Sequence, residues 1–138
     1  MRIVLDIDQG VIRDPGLVAT IASAYLQGSV VHNRLVLRLL RSAGRPLPPL
    51  YRSRVVYRPE PANGSGIEEF ASIRRVFLRG WGDCDDLVPI RVAELQEQGE
   101  AATQRFYWRR TPRGDLSMHV QVRRANGEIE DPSRLLGM

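Results

Sequence analysis

Gly80-Trp81-Gly82-Asp83-Cys84-Asp85-Asp86-Leu87-Val88-Pro89-Ile90 is the stretch on which the reading turns. Two glycines allow a tight approach to a helix. Asp83 suits its N-cap, and Asp85 and Asp86 suit its first turn. Leu87, Ile90 and Leu95 then follow on one side, and Gly99 stops a helix that spans Asp83 to Gln98. Pro89 inside it predicts a bend or local unwinding, because it removes a backbone donor. Cys84 falls at the helix N-terminus. Partial positive charge there favours the thiolate, and the Cys84 N–H points out of the helix end, available to an oxyanion.

A buried structural cysteine is the plain alternative, since free cysteine is commonly buried. The flanking aspartates and glycines are not an apolar core pattern. Asp83, Asp85 and Asp86 could also suggest a hard cation, but the spacing of a calcium loop is missing. No metal and no cofactor is expected.

A thiolate needs a base. Of two histidines, His32 sits on an ordinary amphipathic pattern and reads as surface or core filler. His119 lies in a strand where Met118, Val120 and Val122 alternate with His119, Gln121 and Arg123, which sets it opposite the apolar face. An ordinary surface histidine would show the same pattern. Ala125-Asn126-Gly127 is a hairpin signal, and Glu128 to Asp131 is the return strand, ended by Pro132. Turn parity decides whether His119 and Asp131 share a face. A two-residue turn points Asp131 away. A three-residue loop pairs Arg124 with Glu128 and Gln121 with Asp131, and brings Asp131 diagonal to His119. That loop requires positive φ at Gly127, and it is the expected one.

Earlier in the chain, residues 2–8 suit a short strand or extended arm. Asp14-Pro15 reads as a helix start, with Gly28 stopping a first helix and Ser29 capping a second that ends near Gly44. Arg45 to Pro49 is a connector. Arg54 to Tyr57 is β-prone, Pro59 to Gly66 is a loop, and Glu68 to Leu78 is a short helix closed by Gly80. Thr103 to Arg109 reads as a strand and Thr111 to Asp115 as a turn. Helices first and strands last argue α+β.

The 138 residues suit one domain. No apolar run approaches the roughly 18 residues of a membrane span. Acidic Asp6 and Asp8 sit where a signal peptide would be apolar, which points to a cytoplasmic protein. A single cysteine excludes an internal disulfide. The 20 basic residues are all Arg against 16 acids, for a net charge of +4. They are scattered along the chain, so nucleic acid is not expected as the primary partner.

Gly82-Asp83-Cys84-Asp85-Asp86, then His119-Val120, then Glu130-Asp131-Pro132 together resemble the motif series of the transglutaminase-like superfamily, which includes bacterial and phage cysteine-peptidase-like members. Arg54 to Pro61 and Phe70 to Arg79 resemble the stretch those proteins carry before the cysteine. The likeness covers about residues 50–138 and leaves the helical part, 1–45, unplaced. It implies a papain-like α+β fold spanning 1–138, with the nucleophile helix packed on a C-terminal antiparallel sheet. It further implies Cys84 as nucleophile, His119 as general base and Asp131 as third member. The Cys84 N–H, the Trp81 indole and a hydroxyl of Tyr57 or Tyr51 are the oxyanion candidates. The implied chemistry is acyl transfer from an amide or ester, by a cysteine peptidase or amidase or a transglutaminase. The ending from Glu130 to Met138 resembles small phage and prophage members. An alternative is therefore a catalytically silent virion or assembly protein using the same fold to bind. The implied partners are a protein or peptide substrate or phage structural proteins, with no membrane, in the cytoplasm or on a virion.

Overall fold

The computed structural model describes residues 14–60, 69–110, 112, 114 and 116–138. Among them are four α-helices, a three-stranded antiparallel sheet and a two-stranded parallel one, an α+β arrangement. The proposed arm at 2–8 and most of the Pro59–Gly66 loop and the Thr111–Asp115 turn lie outside the described residues.

Helix α1 runs unbroken from Pro15 to Ser42, where the sequence predicts two helices. Asp14 caps it, its carboxylate accepting from Leu17 N at 2.9 Å. Gly28 does not stop it, because Leu26 and Val30, on either side of that glycine, are both fully buried in the core. Packing of that face outweighs the modest helix cost of one glycine, about 1 kcal/mol against alanine. The stop near Gly44 is as expected: Gly44 adopts φ +68° and its N–H donates to Arg41 O.

After the Arg45–Pro49 connector and a 3₁₀ turn at Leu50–Arg52, strand β1 is short, Val56–Tyr57. Helix α2 begins only at Ile73 and ends at Arg79, with Gly80 in the left-handed cap. The predicted start at Glu68 is too early. Residues 69–72 are non-helical and are tied to distant side chains: Ala71 N donates to Asp86 Oδ1, and the first helical N–H, of Ile73, to Asn33 Oδ1. Strand β2, Trp81–Gly82, pairs parallel with β1, Tyr57 opposite Gly82.

Helix α3, Cys84–Glu97, is the centre of the molecule. The sequence places apolar residues along one side. In the structure it is buried nearly all round, as a central helix must be. Val88, Val92, Ala93 and Leu95 join Leu26 and Val30 of α1 and Val120 and Val122 of the sheet. Leu87 and Ile90 join Leu50, Val55, Ile73 and Val76 in a second cluster. The helix is continuous through Pro89 and does not unwind. The proline leaves the Asp85 carbonyl without its usual donor, and the packing on both sides holds the helix regardless.

Strand β3, Thr103–Arg110, pairs antiparallel with β4, Leu116–Arg123, which pairs with β5, Ile129–Glu130. The β4–β5 register is Val122 to Glu130, and Arg124 N donates to Glu128 O at 2.8 Å. The loop is therefore the three-residue Ala125-Asn126-Gly127, with Gly127 at φ +87°. A four-residue helix α4, Pro132–Leu135, follows with Asp131 as its N-cap, a helix the sequence reading does not expect after the return strand.

Candidate active site

Four short segments deliver the candidate groups. Cys84 is the first residue of α3 and is partly buried. Its N–H precedes the first intrahelical bond, in which Leu87 N donates to Asp83 O at 2.9 Å, so it is one of the helix-start donors that the helix itself does not use. Tyr57 stands beside it through the β1–β2 pairing, where Arg58 N donates to Gly82 O. His119 comes from β4, and Asp131 from the junction of β5 and α4.

His119 and Asp131 meet. Nε2 of His119 lies 3.0 Å from Asp131 Oδ2, and Gln121 Nε2 donates to the same oxygen at 3.1 Å. This is the diagonal contact that the three-residue loop creates. Burial works against the Asp131 charge, yet the hydrogen bonds from His119 and Gln121 hold its carboxyl below the usual range. An ionised Asp131 accepts from Nε2–H, which leaves Nδ1 as the basic nitrogen of a neutral ring. The ring is buried, which sequence alternation alone does not suggest. Tyr107, opposite His119 in the register, meets it edge-on with centroids 5.3 Å apart.

Tyr57 lies in the field of several of these groups. Burial raises its phenol, and the negative charges of Cys84, Asp83 and Asp131 raise it further, against a lowering from Arg109. It therefore stays a hydroxyl donor within electrostatic reach of both Cys84 and Asp131. Tyr51 does not serve that purpose. Its O–H donates to Glu130 Oε1 at 2.5 Å, and its ring lies under the Arg91 guanidinium. Trp81 lies between Arg58 and Arg79, whose guanidinium carbons are 5.5 and 3.7 Å from its ring centre. Its role there is to carry cations on its face.

The acidic run behaves differently from a set of caps. Asp83 makes no side-chain cap bond. Its neighbour Asp85 has a carboxyl raised well above the usual range, first by burial and then by the adjacent Asp83. A buried carboxyl beside other carboxylates keeps its proton sooner than it adds a charge. Burial also pushes Asp86 up to about 8, while Ala71 N and the Arg79 guanidinium pull it down. The three carboxylates could offer oxygens within 4.8 Å of one another. Both Asp86 oxygens are already committed, and Arg79 supplies the positive charge that a cation would bring.

One feature has no advance signal in the sequence. Glu130 accepts from Tyr51, from Arg91 Nε at 2.6 Å and from Arg124 at 2.8 Å. Arg91 also reaches Glu94, and Arg124 grips Glu100 with two bonds of 2.6 Å. This alternating chain ties α3 to β5 one residue before Asp131. Its members are far apart in sequence, and no local spacing announces them.

Two clefts, of about 660 and 810 Å³, lie along α1 near α2. His32 lines both, and none of Cys84, His119 and Asp131 lines either. No helix among the described residues is long and apolar enough to cross a membrane. Comparison with protein-family models, with curated proteins and with solved structures finds no match.

Proposed function

We propose that this chain is a thiol acyl-transfer enzyme of transglutaminase-like, papain-like type, acting on an amide or ester carbonyl. The observation that carries the reading is the 3.0 Å contact between His119 Nε2 and Asp131 Oδ2, made by a hairpin that packs on the helix whose first residue is Cys84. Asp131 fixes the ring so that Nδ1 takes the Cys84 proton. The thiolate adds to the carbonyl carbon, and the Cys84 N–H, with Tyr57 O–H, stabilises the oxyanion. His119 returns the proton to the leaving amine or alcohol as the thioester forms. Water or a second amine then attacks, again through His119, and releases the acyl group and the thiol. The transferred acyl group belongs to a protein or peptide.

A non-catalytic binding module of the same fold, as in a virion or assembly protein, draws on the burial of His119 and the position of the two clefts. One experiment separates the readings. Cys84 is the sole cysteine, so iodoacetamide labelling reports it alone. The enzyme reading expects labelling at neutral pH at least ten times faster than a free thiol, and loss of that excess in His119→Ala. Labelling no faster than a free thiol, or unchanged in His119→Ala, would refute it. Cys84→Ala should abolish labelling with a Tm within about 2 °C of wild type, because the side chain is only partly buried.

A further inference from the structure

Helix α1 is apolar on two opposite faces. One face, Ala22, Leu26, Val30 and Asn33, is buried in the core. Directly opposite runs Leu17, Ile21, Ala24, Gly28, Val31 and Leu35, spaced alternately by four and three residues, with Leu39 beyond. Leu17, Val31, Leu35 and Leu39 are each at least half exposed. A four-three repeat without a charged residue is the pattern of a helix-pairing seam. The cations nearest the seam are turned aside: Arg34 and Arg38 both bond Glu97 of α3, at 2.8 and 2.9 Å.

Gly28 gives the seam a centre. It lies mid-helix and exposed, and a Cβ built there meets nothing within 4 Å. The described residues therefore give no steric reason for a glycine at a position where it weakens a helix. A second helix crossing there does, because glycine lets the two backbones approach closely. The outer positions of the seam are also symmetric about this residue. Leu17 and Leu39 are equidistant from Gly28 in sequence, and so are Ile21 and Leu35. An antiparallel copy thus places like against like, as a two-fold interface requires. The ends agree in charge: Asp14 at the start of one helix comes alongside Arg41 and Arg45 at the end of the other.

We infer that α1 is a homodimer interface, in which two copies of this chain pack their α1 helices antiparallel about a two-fold axis at Gly28. The helix is about 42 Å long at 1.5 Å per residue, so the seam runs the length of the contact.

The test uses the full chain. Sedimentation equilibrium near 100 µM should give twice the chain mass of 15.6 kDa, and Leu35→Glu should give the single mass with unchanged helicity. Register is tested by oxidation in a Cys84→Ser background. Gly28→Cys should form a disulfide-linked dimer, since the two copies of that position face each other at the axis. Leu35→Cys should not, because its symmetry mates lie about 21 Å apart, beyond disulfide reach. If Leu35→Glu fails to fold, the cross-linking result decides alone. A wild-type monomer overturns the inference, as does a dimer that Leu35→Glu leaves intact or that Gly28→Cys does not cross-link. A monomer that dimerises only after deletion of residues 1–13 also overturns it, and names that segment as the occupant of the face.

Discussion

Replacing Glu130 by alanine should be among the most destabilising single changes outside the apolar core. Glu130 receives three hydrogen bonds, from the Tyr51 hydroxyl and from the Arg91 and Arg124 guanidinia, and its side chain is mostly buried. Burial opposes its charge, and these donors hold its carboxyl below the usual range all the same. Hydrogen bonds to charged groups contribute roughly 1.5–3 kcal/mol each, and orphaning one partner of a buried pair costs about 3–5 kcal/mol. The three losses do not add. Arg91 keeps Glu94 and the face of Tyr51, and Arg124 keeps Glu100. A net loss of about 3 kcal/mol follows. At about 2.1 cal/mol/K per residue, that is a Tm drop of roughly 10 °C for a chain of this size. Thermal unfolding followed by circular dichroism measures it, with Glu100→Ala at the less buried end of the same chain as control and a clearly smaller loss expected there. A cycle with Arg91→Ala should show coupling of about 0.5–3 kcal/mol. A Glu130→Ala protein that melts within about 2 °C of wild type would refute the reasoning, and so would one that matches Glu100→Ala.

Asp85→Asn should flatten the dependence of stability on pH. A carboxyl raised in the folded state contributes stability that is complete below its unfolded pKa, about 3.9, and that is lost as pH rises through the folded value. Asp86, at about 8, extends the decline to mildly alkaline pH. Urea midpoints should therefore fall from pH 5 to pH 8 in wild type and fall less in Asp85→Asn; a wild-type midpoint that rises over that range rejects the raised Asp85 carboxyl. Asp131 has the opposite sign: its lowered carboxyl contributes stability above the ordinary range, lost as pH falls through the lowered value. Asp131→Asn should therefore reduce the acid-side loss below about pH 4, and an unchanged acid limb would argue against its bond to His119. Gly127→Ala should cost about 1–2 kcal/mol through its positive φ alone, because the added methyl meets nothing; an unchanged Tm would mean that the loop can change shape without disturbing β5.

How much of this was legible in the sequence follows from the range of the forces involved. The start of α3 was, because glycines and carboxylates at a helix N-terminus act over a few residues. The β4–β5 loop was too, because a left-handed glycine fixes a three-residue hairpin and the register follows by counting. Here the local turn signal outweighed the apolar pattern. Ile129 would sit with Val120 and Val122 under the other parity, and it is instead partly exposed. The start of α2 and the unity of α1 were not legible. Each is decided by a partner from a distant part of the chain, Asp86 and Asn33 in the first case and the core around Leu26 and Val30 in the second.

The acidic run shows why residue type alone misassigned roles beside a correctly placed Cys84. Asp83, Asp85 and Asp86 carry the same side chain within four positions, and capping rules treat them as equivalent helix-start anions. In the fold they face three environments. Asp86 points to Ala71 N and Arg79 and fixes the segment before α2. Asp85 is buried beside Asp83, and burial first and that neighbour second raise its carboxyl well above the usual range, so that it holds its proton. The charge beside Cys84 is then smaller than the sequence implies. Three full negative charges would oppose a thiolate at the helix N-terminus. With Asp86 against Arg79 and Asp85 holding its proton, the run opposes it much less. The compact acidic motif is thus compatible with a reactive cysteine because of the packing that surrounds it, and the same packing makes the region more stable at mildly acidic pH than at alkaline pH.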